Sequence, residues 1–212
     1  YDISLNENSD GTMVLLGGGL RKGVYAKTGA TYSPDAIDSS TLVKNADATY
    51  LLTKVDGTQY SFDANRRIKI ISDRNGNIIS IDNAILGFTV ITDSAGHKTE
   101  IIYDTSSGLV TSIRDPAGNF YNFTYDTNGR LWKVTSPAPS ATETIRPYWE
   151  YLYNAAGQLE YKIDPNRNIV KYVYDAQGKV IESINPNGVL DTAGNIVKQG
   201  NTKSLIYTPE TG

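Results

Sequence analysis

A turn motif that recurs along most of the chain restricts its fold more than any other feature. The motif is Asp or Asn, two further residues and then Gly, and residues 121–129, YNFTYDTNG, show it directly after aromatics at every second position. The first residue accepts hydrogen bonds from backbone NH groups ahead of it, and the Gly adopts the positive φ that closes a bulged hairpin. The motif occurs at Asp73/Gly76, Asp93/Gly96, Asp115/Gly118, Asp126/Gly129, Asn154/Gly157, Asp175/Gly178, Asn185/Gly188 and Asp191/Gly194.

Turns this closely spaced predict an all-β fold of repeated antiparallel β-hairpins. Connections of this length are too short to cross over and form parallel pairs. No segment keeps the helical period of about 3.6 residues over several turns. Aromatic-Asp turns alternate with turns that open on Asp-Pro or a plain Asp, so one repeat holds two strands and two turns. The expected product is a long, twisted, curling β-sheet, typical of repeat proteins.

The regularity of the turns divides the chain into three predicted parts. Residues 1–50 are an irregular β lead-in region, in which residues 30–40 are expected to form a loop. Residues 51–188 carry the repeats, with a loop insertion at 136–147, SPAPSATETIRP. Residues 189–212 are a further hairpin or trailing segment.

Two arginines stand where the turn motif expects glycine. Arg66 and Arg167 come three residues after Asp63 and Asp164. A non-glycine residue with positive φ costs about 1 kcal/mol relative to glycine. We therefore predict positive φ at both arginines and expect Arg167→Gly to raise the melting temperature.

Composition narrows the possible functions. The 212-residue chain has a net charge of −3 and a pI of about 5.2, which gives no electrostatic basis for binding nucleic acid or anionic membranes. No apolar run reaches the about 20 residues that span a bilayer, so no membrane insertion is expected. The absence of cysteine excludes disulfides and thiolate metal sites.

No motif in the chain predicts catalysis, a cofactor or a metal. The glycine run at residues 17–19 lacks the spacing of a phosphate-binding loop. His97 is the only histidine and follows a turn glycine, and most aspartates are explained as turn residues. Asp73 begins a segment similar to a calcium loop, but its glycine comes too early and no glutamate follows at the required distance. We therefore expect no enzyme activity and no cofactor.

Aromatic side chains are the candidate ligand contacts. Trp132, Tyr148, Trp149 and Tyr151 lie just before and after the loop insertion, where they could stack on sugar rings or contact a partner. The alternative is structural, because aromatics that alternate along a strand can stack as cross-strand pairs on one face. The sequence favours this structural role and leaves the glycan site open. The alternating sets are Tyr121, Phe123 and Tyr125; Trp149, Tyr151 and Tyr153; and Tyr172 with Tyr174.

These repeats resemble a known family. The segments GTQYSFDANRRIKIISDRNGN, DPAGNFYNFTYDTNGRLWKV and NIVKYVYDAQGKVIESINPNG are similar to Rhs, or YD-repeat, segments. Residues 118–137 follow the family pattern almost position by position, with Ser136 where the family has Asp. The likeness extends over about residues 50–188, and the upstream part is similar to the lead-in region that often precedes such repeats.

The resemblance implies a scaffold and not an enzyme. In bacterial polymorphic toxins, insecticidal toxin complexes and teneurins, YD repeats form a β-strip that spirals into a hollow shell, and in the toxins this shell encloses a C-terminal effector. The chain would thus be a partial YD-repeat shell or strip of a secreted or bacterial cell-surface protein. Its implied partners are its own C-terminal effector or neighbouring shell segments. Glycans are the partners in the alternative, a carbohydrate-binding or adhesion module, and open sheet ends would permit edge-to-edge self-association.

Overall fold

The chain folds entirely into antiparallel β-structure where it is described. The computed structural model describes residues 3–17, 20–29, 31–34, 39–140, 142–185, 188–190, 196–198 and 203–206. Within these ranges every regular element is a strand, and the paired strands run antiparallel, mostly to their neighbours in sequence. The predicted all-β fold of repeated hairpins is therefore confirmed. The described residues contain no helix of the length and apolarity needed to cross a bilayer.

The strands fall into two compact units, residues 1–102 and 103–212. The predicted division into a lead-in at 1–50, repeats at 51–188 and a trailing segment at 189–212 remains a prediction. The strands of the first unit are β1 (Ser4–Glu7), β2 (Met13–Gly17), β3 (Leu20–Thr28), β4 (Thr31–Pro34), β5 (Thr41–Lys44), β6 (Tyr50–Thr53), β7 (Gln59–Phe62), β8 (Ile68–Ser72), β9 (Ile78–Asp82), β10 (Phe88–Thr92) and almost all of β11 (Lys98–Tyr103). The strands of the second unit are β12 (Val110–Arg114), β13 (Phe120–Tyr125), β14 (Leu131–Thr135), β15 (Tyr148–Tyr153), β16 (Leu159–Ile163), β17 (Ile169–Tyr174), β18 (Val180–Asn185), β19 (Gly188–Leu190), β20 (Ile196–Lys198) and β21 (Lys203–Ile206).

The first unit buries one face of its sheet in a continuous core. Leu42 and Leu52 are directly opposite on β5 and β6 and are fully buried, as is Phe62 of the Phe62-Asp63 pair. Removing a side chain of this size from water contributes about 1.5–3 kcal/mol. The core contains Leu5, Met13, Leu15, Tyr25, Tyr32, Leu42, Tyr50, Leu52, Phe62, Ile68 and Ile81.

Strand β4 corrects the loop expected at residues 30–40. Thr31–Pro34 is a strand, and Tyr32 lies opposite Leu42 with only 2 % of its surface exposed. The packing of this tyrosine between neighbouring strands favours a strand more than the surrounding polar residues favour a loop, because strand formation depends mainly on such packing. The core therefore begins well before the regular repeats.

The first unit closes where β1 meets the turn between β7 and β8. The amide of Leu5 donates to the carbonyl oxygen of Arg66 at 3.0 Å, and Ser4 forms an isolated antiparallel bridge with Arg67. The guanidinium of Arg66 also forms an ion pair with Glu7 at 3.0 Å. We call these three contacts the β1 seam.

The second unit is a more open sheet. Among its described residues, only Ile163 and Ile169 are fully buried, and they lie opposite each other on β16 and β17. The register shifts immediately before Tyr125, Tyr153 and Tyr174, so each strand that ends in an aromatic residue before a turn carries a bulge there. Such bulges increase the local twist of the sheet. The predicted bulged hairpins are thus present.

Backbone dihedrals confirm the predicted turn register. Both predicted arginines have positive φ, 65° at Arg66 and 67° at Arg167. Ala48, which stands three residues after Asn45 in the place of the motif's glycine, has φ of 66°. The turns predicted at Asn185/Gly188 and Asp191/Gly194 involve residues outside the described ranges. Positive φ is found at Gly76, Gly96, Gly118, Gly129, Gly157 and Gly178.

Ala48→Gly is expected to stabilise the protein by about 1 kcal/mol, because glycine adopts positive φ without the steric cost that Ala48 carries. The measurement is the free energy of unfolding from urea titration. Part of the gain is offset because glycine increases the entropy of the unfolded chain. An unchanged or lower stability would contradict the strain assigned to this turn.

The structure revises the expected effect of Arg167→Gly. The Arg167 guanidinium hydrogen-bonds Glu150, whose side chain is only 16 % exposed, and lies 5.9 Å from the centre of the Tyr148 ring. Glycine would relieve the backbone strain but leave a largely buried carboxylate without this partner. We now expect no gain in melting temperature from Arg167→Gly alone. The double variant Arg167→Gly/Glu150→Gln should be more stable than the single one, and a clear gain in the single variant would contradict this view.

Candidate functional site

The turn after each Tyr-Asp pair is organised by the Asp carboxylate. In the turn that begins at Asp126, Oδ1 accepts hydrogen bonds from the amides of Asn128 and Arg130, each at 2.9 Å. Oδ2 accepts from Nε of Arg130 at 2.7 Å, and the Gly129 amide donates to the Asp126 carbonyl at 3.0 Å. These bonds satisfy the backbone donors of the turn, which is why Asp is placed there.

The residue after the turn glycine is a functional part of the turn that sequence reasoning missed. Its backbone amide and its side chain both bond the Asp or Asn that begins the turn. A polar residue directly after the glycine, as in DPAGN or YDTNGR, was the available signal. Further pairs that share both contacts are Asp93 with His97, Asp115 with Asn119, Asn154 with Gln158, and Asp164 with Asn168, which follows Arg167 in place of a glycine.

Arg130 also connects one Tyr-Asp turn to the next. Its guanidinium forms an ion pair with Asp126 at 2.6 Å and lies 4.6 Å from the centre of the Tyr153 ring. A guanidinium over an aromatic face is favourable because the ring face is electronegative. The arginine that follows the turn glycine therefore links consecutive repeats.

Tyrosine hydroxyls make the second contact between repeats. Tyr125 donates to the carbonyl of Val110 at 2.7 Å, Tyr153 to that of Leu131 at 2.8 Å, and Tyr174 to that of Leu159 at 2.7 Å. Each carbonyl belongs to the first residue of the preceding strand. Burial raises the pKa of all three phenols, so they stay protonated and can donate. We call Tyr125, Tyr153 and Tyr174 the tyrosine ladder.

The predicted aromatic sets share one face, but they are not direct cross-strand partners. Phe123 and Trp149 both lie opposite Val134, which stands between them on β14. In the same way, Lys162 stands between Tyr151 and Val170. The expectation of direct aromatic pairs was therefore wrong, because the sets lie on alternate strands of the sheet.

The four candidate contact residues do not form one platform. Tyr148 and Trp149 are consecutive in β15, so they point to opposite faces, and Tyr151 shares the face of Trp149. Trp132 is 41 % exposed, and Nζ of Lys133 lies 4.9 Å from its ring centre and 4.1 Å from that of Tyr148. A role of any of the four in ligand binding remains a prediction.

One of the candidate residues lines a groove. The groove is open, has a volume of about 460 Å³, and includes the end of the β16–β17 hairpin. Nζ of Lys162 lies 4.6 Å from the centre of the Trp149 ring, so a cation covers the indole. The lining residues are Trp149, Lys162, Asp164, Asn168, Val170, Tyr172 and Asn185.

The remaining polar candidates serve the turns. Nδ1 of the exposed His97 lies 2.9 Å from Oδ2 of Asp93. The carboxylate of Asp73 accepts bonds from the amides of Asn75 and Asn77 and from the side chain of Asn77. In the described ranges, no group of three or more His, Asp or Glu residues is arranged to hold a metal ion.

Acid is expected to destabilise the protein between about pH 4 and pH 2. The Ser106 hydroxyl, followed by the Ser107 amide and hydroxyl, lowers the pKa of Asp104 from 3.8 to about 2. Bonds from the following residues likewise lower the pKa values of Asp73, Asp115 and Asp126. A depressed native pKa stabilises the fold above the unfolded-state pKa, and this contribution is lost as pH falls through the native pKa.

The measurement is the melting temperature from pH 7 to pH 2. The matched control is Asp104→Asn, since Asn154 begins a turn that is one residue shorter with an amide in place of the carboxylate. The difference in melting temperature between the wild type and this variant should depend on pH only below about pH 4. A difference that changes between pH 7 and pH 5 would contradict the assignment.

Comparisons with known proteins identify one family and several solved structures to which parts of the chain are similar. The family model of the RHS Repeat matches residues 103–141. None of the curated proteins matches the chain. Among solved structures, a TcdB2-TccC3-TEV complex is similar at 10 % identity and a TM-score of 0.49, over 85 % of this chain and 12 % of that chain. The Tc holotoxin pore of Photorhabdus luminescens is similar at 12 % identity and a TM-score of 0.45, over 86 % of this chain and 12 % of that chain.

The matched segment contains two turns that follow a Tyr-Asp pair. It begins at the Tyr103-Asp104 turn and includes the Tyr125-Asp126 turn with its hydroxyl and carboxylate contacts. The hydroxyl contact and the backbone amide bond to the side-chain oxygen of the turn's first residue recur at Tyr153-Asn154 and Tyr174-Asp175. The chain spans 12 % of the length of the solved chains just described. Residues 103–141 are therefore similar to a repeat of the Rhs, or YD, type, and the tyrosine contact of this segment recurs along the second unit.

Proposed function

We propose that the chain is a non-enzymatic structural segment of a large exported or cell-surface protein, in which its sheet builds part of a β-shell around an effector. The observation that carries this proposal is the use of the motif side chains. The Tyr hydroxyl and the Arg after the turn glycine contact neighbouring parts of the repeat array, and the Asp carboxylate binds that Arg. Motif side chains that connect one repeat to the next are suited to building a continuous sheet.

Protease protection in the full-length parent protein tests this function. An effector inside a wall of this kind should resist a protease that digests the isolated effector. Phenylalanine at all three positions of the tyrosine ladder should loosen the wall and increase digestion. Equal digestion of the effector alone and within the parent protein would overturn the proposed encapsulation.

The groove at Trp149 supports a second candidate function, binding of an acidic glycan. An indole, a tyrosine and side-chain amides are suited to sugar rings and hydroxyls, and the Lys162 ammonium favours a carboxylate or sulfate. Neutral sugars are less suited because the lysine competes for the indole face. This function would place the chain in an adhesion module of a secreted or bacterial surface protein.

A glycan array with purified variants tests the second candidate. Saturable binding of acidic glycans should be lost in Trp149→Ala and weakened in Lys162→Met. It should persist in the matched variant Trp132→Ala, whose indole lies against Lys133 outside the groove. Binding that is equal in all four proteins, or no saturable binding, would overturn the glycan site.

A further inference from the structure

The β1 seam has less backbone pairing than the strand pairs described for the first unit, of which β4 with β5 has the fewest residue pairs, two. β1 pairs with β2 through four successive residue pairs, and β5 with β6 through another four. The opposite side of β1 has one isolated bridge, Ser4 with Arg67, and one backbone bond, from Leu5 to Arg66. The ion pair of Glu7 with Arg66 joins side chains that are 31 % and 36 % exposed, so solvent weakens it.

The seam also contains the strained residue of the turn. The carbonyl that accepts the Leu5 bond belongs to Arg66, which has φ of 65°. Positive φ strains an L-residue, and such a conformation persists only where the surrounding structure enforces it. The enforcement here comes from the turn and from the same contacts that close the seam.

A buried hydroxyl near the seam favours opening. Tyr32 is 2 % exposed, and among the described residues its hydroxyl has no hydrogen-bond partner. Burial raises the pKa of this phenol, and the charges of Glu7 and Arg66 also act on it. Because an unpaired buried hydroxyl is unfavourable, access to water would stabilise an open form relative to the closed one.

Leu5 is the contact that keeps the seam closed. Its side chain is 4 % exposed and packs in the core with Phe62 and Ile68, which flank the turn. Opening must expose this side chain, so the closed form remains the major one. Opening is expected where the fewest backbone hydrogen bonds must break. Among the described strand contacts of the first unit, this place is the seam.

From these contacts we infer that the first unit opens reversibly at the β1 seam, separating β1 from the β7–β8 turn while the strand ladders stay intact. The seam is thus a built-in opening point of the core, distinct from the tyrosine ladder and from the groove. Local opening of this kind exposes particular amides to exchange at a lower free energy than global unfolding.

Native-state hydrogen exchange tests the opening. The Leu5 amide should exchange at least about tenfold faster than the slowest amides of β5 and β6. In Ser4→Cys/Arg67→Cys, opposed residues can form a disulfide, and the chain has no other cysteine to compete. Oxidation of this variant should slow Leu5 exchange at least about tenfold relative to its reduced form.

A second disulfide provides the control. Thr41→Cys/Thr53→Cys joins opposed residues of β5 and β6, away from the seam, and its oxidation should leave Leu5 exchange unchanged. Tyr32→Phe should slow Leu5 exchange, because the open form no longer gains a hydrated hydroxyl. Leu5 exchange as slow as that of the slowest amides, or equal slowing by both disulfides, would overturn the seam as the opening point.

Discussion

Replacing Leu52 with alanine is expected to lower the free energy of unfolding by about 2–5 kcal/mol, the range for large-to-small changes in a packed core. Leu52 is fully buried on β6, opposite Leu42 on one side and Tyr60 on the other. Alanine removes apolar area and leaves a cavity that strands held in register on both sides cannot close. The free energy of unfolding is measured by urea titration, with unfolding followed by far-UV circular dichroism.

The matched control is Leu86→Ala, the same substitution at a side chain that is 84 % exposed in the same unit. Surface changes of this kind stay within about 0.5 kcal/mol. A loss below about 1 kcal/mol in Leu52→Ala would show that the core of the first unit is not packed as described.

Removing all three hydroxyls of the tyrosine ladder is expected to cost about 3 kcal/mol in total, at about 1 kcal/mol for each hydrogen bond. The variant is Tyr125→Phe/Tyr153→Phe/Tyr174→Phe, which keeps the rings and deletes only the donors. Each substitution leaves a backbone carbonyl of the preceding strand without its bond. The loss should add across the three sites to the extent that they are independent.

A second triple variant on the same three strands controls for the hydroxyls. Tyr121→Phe/Tyr151→Phe/Tyr172→Phe removes phenols of the same sheet face that lie outside the ladder. This variant should change stability by less than about 1 kcal/mol. Equal losses in the two triple variants would mean that the ladder bonds carry no special weight.

Much of the local structure is determined by short-range chemistry that the sequence displays directly. The turn at residues 126–129 could be predicted because an Asp and a Gly at this spacing satisfy the turn amides and adopt positive φ without any distant contact. Arg66 and Arg167 were predictable for the same reason, since their register in the motif fixes the backbone conformation. The shared face of the aromatic sets was likewise predictable, because the aromatic residues occupy every second position of their strands.

Contacts between residues far apart in sequence were decided only by the tertiary structure. The hydroxyl of Tyr153 reaches Leu131 across a 22-residue separation, and the seam brings Glu7 to Arg66. Which lysine lies over each ring, Lys133 over Tyr148 and Lys162 over Trp149, likewise depends on which strands become neighbours.

Strand ends and the alternation of side chains follow from local sequence, because turn chemistry and strand periodicity act over a few residues. The tertiary structure decided which tyrosines bond the backbone, which arginine is held by a buried carboxylate, and where the first unit closes. The physical reason is that these contacts depend on strand pairing and curvature, which arise from the packing of the whole sheet.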